Sequence, residues 1–237
     1  MGDDMGGTSE ALRSFVEEAP VARGPHVTFL REALADLPAG ARILDVGSGD
    51  SPYRELFGKF DYLTNDWGDT TYVPDVPVDV VAPAHDLPLA DDALDAVVCT
   101  QVLEHTPEPW AVIDEFARVI RPGGKLILTA PLTWYLHEVP HDYYRFTAYG
   151  LRYLLDRAGF VDAEIRPMND SAGTIAELLR HLRWILGTAD DGRQPLRETS
   201  GVLVAELAAV VEQTRWLDTQ WSMPISFSAT ARVPTAS

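Results

Sequence analysis

Two groups of residues in this sequence have the types and spacing to do chemistry. The first opens at Asp45-Val46-Gly47-Ser48-Gly49. Glycines at such a turn permit a tight backbone and let a ligand approach the main chain. The full Gly-x-Gly-x-x-Gly of dinucleotide sites is not met, because position 52 is Pro52. Asp66 follows Gly47 by 19 residues. A carboxylate there can accept both hydrogen bonds of a ribose diol, although it also fits a solvated loop or a helix cap. Next comes His85-Asp86-Leu87-Pro88-Leu89. Asp86 could accept from the exocyclic amine of a purine, and Leu87 could pack on the ring and offer backbone groups. The competing reading is an ordinary turn before Pro88.

The second group begins with Glu104 and His105 and continues through His137-Glu138-Val139-Pro140-His141-Asp142-Tyr143-Tyr144-Arg145-Phe146-Thr147. Imidazole titrates near neutrality, so His105, His137 and His141 are the candidate proton acceptors. Tyr144 and Arg145 are candidate substrate contacts. The alternative is structural: Asp142 pairs with Arg145, while Tyr143, Tyr144 and Phe146 pack the loop onto its support.

These groups need a frame to bring them together. Short apolar runs predict strands at 41–46, 60–64, 79–82, 95–100, 125–130, 161–166 and 225–233. The run at 95–100 is apolar nearly throughout, as a central parallel strand should be. Helices are expected at 9–18 and 26–37, separated by Pro20, Gly24 and Pro25. Another should start with Thr106 as cap and Pro107 as first residue. It would bury Trp110, Ile113, Phe116 and Ile120 and stop at Arg121-Pro122-Gly123-Gly124. A helix at 147–158 ends at Gly159. Strands alternating with helices imply a mostly parallel sheet with helices on both faces. Residues 168–223 break the alternation: two helices, about 171–186 and 199–217, joined by a polar loop at 189–195. This insertion suits a lid, a dimer surface or extra core. Residues 1–8 have the composition of a disordered start.

Taken in order, LDVGSGDSPY, then Asp66, then HDLPLADDALDAVVCTQVLEH, then a helix and RPGGKLILTAP resemble the class I S-adenosylmethionine-dependent methyltransferases, especially the type-11 group. The resemblance covers residues 41–167. It implies an α/β, Rossmann-like, seven-stranded and mostly parallel sheet. The last strand would be antiparallel and inserted between the fifth and sixth. It also implies S-adenosylmethionine as cofactor. Asp45, Gly47 and Gly49 would surround its methionine part, Asp66 its ribose, and Asp86 and Leu87 its adenine, with Gln101 near the sulfonium. Ser51 departs from the pattern, standing where many relatives have a third glycine. The 137–147 stretch falls where the family carries substrate contacts. Some relatives bind a divalent metal through Glu-x-x-Glu-His and a later histidine; Glu104, His105 and His137 or His141 match that pattern, but Gln101 stands in its first position, a poor replacement for a carboxylate on a hard cation, so no metal is expected.

Composition narrows the partners. Nineteen Lys and Arg against 36 Asp and Glu give a formal charge of −17, which opposes binding to phosphate backbones. Arg180 and Arg183 read as a solvated helix face. No apolar run reaches the roughly 20 residues that span a bilayer, and Met1 to Ser9 resembles no secretory signal, so a cytoplasmic address is expected. Cys99 is the only cysteine; it reads as a buried strand residue and can form no internal disulfide. The chain is read as one domain, 1–237: N-terminal helices to 40, a cofactor-binding core at 41–167, the helical insertion at 168–223, and the last strand and tail from 224. A homodimer is compatible with this. The expected activity is methyl transfer from S-adenosylmethionine to an oxygen or nitrogen of a small molecule. The alternatives are methylation of an RNA end or other macromolecule, and a cofactor-binding protein or catalyst that transfers no methyl.

Overall fold

The computed structural model describes residues 8–67, 76–188, 194–213 and 222–235. Residues 1–7 of the expected disordered start lie outside that set. Thr8, the last residue of the expected 1–8 start, is buried, and its carbonyl and hydroxyl both accept hydrogen bonds from the Arg13 guanidinium. Ser9 caps helix α1 (Glu10–Glu18) by accepting from the Leu12 amide at 3.2 Å. Helix α2 (Pro20–Leu34) starts earlier than the sequence suggests and runs through Pro25. Pro20 occupies its first turn, where a missing N–H costs nothing. Burial of Val21, Val27, Leu30 and Leu34 offsets the one bond that Pro25 removes.

Seven strands form one sheet: β1 (Arg42–Val46), β2 (Asp61–Asp66), β3 (Val80–Val81), β4 (Leu94–Thr100), β5 (Ile120–Pro131), β6 (Val161–Pro167) and β7 (Ser226–Arg232). Their order is β3-β2-β1-β4-β5-β7-β6. The first five are parallel, and β7 runs antiparallel between β5 and β6. This is the Rossmann-like arrangement that the resemblance implies. Strand alternation sends successive side chains to opposite faces. Leu44, Val46, Val97, Cys99, Leu126 and Leu128 join one core, while Ile43, Ala96, Val98 and Ile127 join the other, under α1 and α2.

Helix α3 (Pro109–Val119) begins two residues later than expected. The Thr106 hydroxyl donates back to the Leu103 carbonyl instead of capping, and Pro109 takes the first turn. Trp110 therefore sits at the helix mouth and is 40% exposed, while Val112 and Val119 join Ile113 and Phe116 in the core. The Pro-Gly-Gly turn does not end strand pairing. Ile120 already pairs with Leu94, and after a register shift the ladder resumes at Lys125 with Ala96. Gly124 is required there, because a Cβ would stand 2.5 Å from Ile120 Cγ2 and 2.8 Å from the Asp95 carbonyl.

Helix α4 (Ala148–Arg157) is capped by Thr147. Helices α5 (Ser171–Thr188) and α6 (Gln194–Gln213) pack together, and α5 also touches α2. They form the expected insertion before the last strand. Residues 189–193 of its loop and 214–217 of its second helix lie outside the described residues. No helix among the described residues is long and apolar enough to cross a membrane.

Candidate functional site

The C-terminal ends of β1, β2, β4 and β5 gather both groups of residues. After β1 the chain turns through three left-handed positions, Gly47 (φ 66°), Gly49 (φ 50°) and Ser51 (φ 52°). At Gly47 an added Cβ would lie 2.4 Å from Val102 Cγ2, so only glycine fits. Ser51 takes, at some strain, the conformation that a third glycine would adopt freely. The Ser48 amide donates to the Asn65 carbonyl at 3.0 Å, which fastens the turn to β2. Asp66 at the end of β2 accepts from the Gly49 amide at 2.9 Å and the Trp67 amide at 2.7 Å. Asp45 is buried and accepts from the Tyr62 hydroxyl at 2.7 Å.

Both carboxyls resist ionisation. Burial pushes Asp45 up to about 7, against the opposing pull of the Tyr62 hydrogen bond. Burial also raises Asp66, against the two amides that favour its charge. The Ser48 hydroxyl is buried without a partner among the described residues. A turn lined by two acids of raised pKa and an orphaned hydroxyl fits a cationic ligand carrying ribose hydroxyls. S-adenosylmethionine is such a ligand.

The two adenine candidates are placed differently from the sequence reading. The Leu87 side chain is 3% exposed and lies in the core. Its amide donates to Glu115 Oε1 at 2.7 Å, and its carbonyl accepts from Arg118 at 3.1 Å. Leu87 therefore has neither a ring-facing side chain nor an uncommitted amide, and Asp86 beside it is exposed. The Glu115–Arg118 pair explains the difference: its bonds to Leu87 and Leu89 make this segment a structural turn. Gln101 (φ 57°) bridges three strands. Its amide and side chain both bond Thr129, at 3.1 and 3.0 Å, and its Oε1 accepts from Ser226 at 3.3 Å.

The second group closes over the ends of β4 and β5. A 3-10 turn, Leu103–His105, follows β4. Its Glu104 is 1% exposed, and among the described residues neither carboxylate oxygen meets a donor from another side chain or backbone. Burial pushes this carboxyl up to about 8. The Glu104 carbonyl accepts the amides of Tyr143 and Tyr144 at 2.8 and 3.3 Å, pinning the loop. His105 Nδ1 lies 2.7 Å from the His141 carbonyl. A carbonyl only accepts, so Nδ1 carries a proton, and in the neutral ring Nε2 presents a lone pair. That Nε2 is 3.8 Å from Glu104 Oε1 and 3.8 Å from Glu138 Oε2. The His137 ring stands edge-on to His105, with centroids 4.8 Å apart. Its Nδ1 is 3.2 Å from the Tyr135 carbonyl and 3.4 Å from Asp142. Burial and the neighbouring His105 lower its pKa. His141 stands aside, its Nδ1 3.4 Å from the Tyr143 hydroxyl.

Tyr144 and Arg145 take the structural alternative. Arg145 forks onto Asp142 at 2.6 and 2.8 Å and also donates to the carbonyls of Trp134, Tyr135 and Tyr144. Tyr144 donates to the Pro107 carbonyl at 3.0 Å. Both residues hold the loop's shape. Sequence reasoning missed two features. It did not single out the burial of Glu104, and it gave no role to His181 of α5, which stacks on Tyr135 at 3.4 Å with an interplanar angle of 4°. Glu177, also on α5, bears electrostatically on Tyr135, so the insertion overlies the loop. The i, i+4 spacing of Glu177 and His181 puts them on one helix face, but no local signal says what that face meets.

Comparisons with known proteins agree with this fold. A family model described as a methyltransferase domain matches residues 44–128. An uncharacterised methyltransferase of Mycobacterium leprae is 34% identical over 101 residues, 39% of this chain and 38% of that protein. The 27-O-demethylrifamycin SV methyltransferase of Amycolatopsis mediterranei is 36% identical over 106 residues, 39% of each. The matched stretch thus spans about two-fifths of these relatives. The solved structure of the cyclase SpnF superposes with a TM-score of 0.56 at 21% identity, covering 91% of this chain and 82% of that one; the likeness is one of fold.

Proposed function

We propose that this chain, which belongs to the class I S-adenosylmethionine-dependent methyltransferases of the type-11-like group, transfers a methyl group to an oxygen or nitrogen of a small molecule. The observation that carries this is the turn after β1, where Asp45, Gly47, Gly49 and Asp66 converge at the strand ends that bind ligands in open α/β sheets. When bound, S-adenosylmethionine would supply a methyl already activated on sulfonium for in-line transfer to the acceptor's lone pair. The protein must align the two partners, exclude water and receive the acceptor's proton.

The two acids suit the cofactor's positive charge and its ribose diol. Gln101, fixed by Thr129 and Ser226, sets the floor between cofactor and acceptor. The imidazoles beside β4 and β5 receive the proton, and the loop held by Asp142 and Arg145, with α5 above it, shapes the acceptor side. A formal charge of −17 favours a small acceptor over a nucleic acid. The name of the rifamycin relative also points to a small molecule. A second reading, catalysis on this fold without methyl transfer, draws on the likeness to the cyclase SpnF. Product analysis separates them. Methyl transfer releases S-adenosylhomocysteine in step with a product heavier by roughly 14 mass units, one net CH₂. Conversion of an acceptor with the cofactor returned intact would establish the second reading instead.

A further inference from the structure

We infer that helices α5 and α6 pack against the same two helices of a second copy of this chain, burying an apolar seam that one protomer leaves in water. From Val202 to Val211, α6 holds a single charged residue, Glu206. Its inner side meets α5: Ala208 is 4% exposed, and Gly201 lies against the Arg183 stem. Its outer side is just as apolar and stands open. Leu203, Leu207 and Val210 are 60%, 51% and 56% exposed, and Val202 beside them is 58% exposed. A helix that is apolar all round belongs inside a structure.

Spacing names the kind of partner. Leu203, Leu207 and Val210 stand four and then three residues apart. On α5, Ile175, Leu178, Leu182 and Ile185 stand three, four and three apart. Leu178 is half-buried, while Ile175, Leu182 and Ile185 are exposed. Alternation of three and four is the seam by which one helix packs on another. Two such stripes on one hairpin, facing their equivalents across a two-fold axis, make a four-helix bundle. The seven exposed side chains present on the order of 600 Å² of apolar surface; with a polar rim this approaches the roughly 800 Å² that each partner gives a stable interface.

Charge selects a second copy over a lipid surface and sets how the hairpins face. Helix α5 carries Arg180 and Arg183 against Glu177, whereas α6 carries Glu198, Glu206 and Glu212 against Arg197. Two-fold packing lays α5 of one protomer on α6 of the other, so the basic helix meets the acidic one. A helix lying on a membrane carries Lys and Arg along its polar side. Here α6 is acidic and the whole chain is at −17, which anionic lipid repels. The pairing also bears on the acceptor side. His181 of α5 stacks on Tyr135, so a second copy braces from behind the helix that overlies the acceptor loop. That last consequence rests on the methyl-transfer reading; the dimer does not.

Sedimentation velocity on the untagged full chain reads the assembly directly. At roughly 50 μM, above the micromolar dissociation constant that such an area supports, the expected species is a dimer of the 26.1 kDa chain. Leu203→Glu combined with Leu207→Glu, checked for native circular dichroism, should sediment as a monomer. Both side chains are exposed in the protomer, so its core is untouched. Arg183→Glu should weaken the dimer roughly tenfold, because the two-fold axis repeats each lost pair. A wild-type monomer at that concentration would overturn the proposal. So would a dimer that survives the Leu203 and Leu207 changes, or a monomer that binds phosphatidylcholine vesicles. Calorimetry of the wild type with S-adenosylmethionine keeps the two ideas apart. A monomer that binds the cofactor sinks the dimer alone; a dimer that does not bind it sinks methyl transfer alone.

Discussion

The turn after β1 and the loop after β5 sit at the same end of the sheet but are built by opposite means. The turn is local. Its shape follows from left-handed glycines, one steric contact with Val102, and bonds to Asn65 and Asp66 on the adjacent strand. The loop is assembled from a distance. Its amides hang on the Glu104 carbonyl, its centre on the Asp142–Arg145 fork, and its outer face on His181 of the insertion. A shared cofactor asks for the first kind of construction, since the same backbone suits every member of a family. A particular acceptor asks for the second, since side chains from separate elements can be varied one by one.

If the two regions are independent, each can be broken without the other. Gly47→Val should have the largest effect. A β-branched residue at φ 66° would meet Val102 at 2.4 Å, and strain of about 3 kcal/mol should lower S-adenosylmethionine affinity roughly 100-fold by calorimetry. The acceptor loop should keep its protection from hydrogen exchange. Arg145→Lys is the converse. It loses the fork that a single ammonium cannot reproduce and leaves Asp142, whose side chain is 2% exposed, with one partner. About 2 kcal/mol of stability should go, read from the denaturant midpoint, with cofactor affinity nearly unchanged. The Arg145 hydrogen bonds hold the Asp142 carboxyl well below the usual range. Its contribution is therefore present above the unfolded value near 4 and lost as pH falls through the lower folded value. The gap between wild type and variant should close only in acid. Loss of cofactor affinity in Arg145→Lys would mean that the regions are coupled.

A pH series sharpens the contrast from the cofactor side. Asp45 titrates at about 7 and Asp66 is also raised, while a cationic ligand favours both carboxylates. Binding should release protons and tighten by up to about tenfold per unit as pH rises to 7, then level off. Calorimetry in buffers of different ionisation enthalpy would measure the protons. The stability of the ligand-free protein should move the other way. The folded Asp45 carboxyl binds its proton more tightly than the unfolded one, so its stabilising effect is lost as pH climbs through 7. The smallest effect is expected from Asp86→Ala. Exposed beside a Leu87 amide that Glu115 already holds, it should alter cofactor affinity by about twofold at most. A tenfold loss would restore the purine contact that the sequence suggested.

The same contrast explains what was legible in the sequence. The strand positions and the turn at Asp45–Gly49 follow from apolar runs and glycine positions, which act within a few residues, whereas the inserted antiparallel β7 was implied only by the family resemblance. The start of α3 was misplaced because Thr106 has a nearer acceptor in Leu103. The β5 ladder was cut short because Pro-Gly-Gly resembles a stop, whereas here it bulges and continues. Leu87 was misread because its partner, Glu115, lies 28 residues away. At Tyr144 and Arg145 the structural alternative was visible in the sequence, and the bonds to Pro107, Asp142 and Tyr135 realise it. Nothing local marks Glu104 as buried or sets His181 on Tyr135, because both depend on how distant elements meet.

The cofactor turn is tested most directly by calorimetric titration with S-adenosylmethionine, on wild type and Asp66→Ala. The expected result is micromolar binding, about −8 kcal/mol, by the wild type, and loss of that binding in a variant with native circular dichroism. No binding by the folded wild type, or undiminished binding by Asp66→Ala, would contradict it.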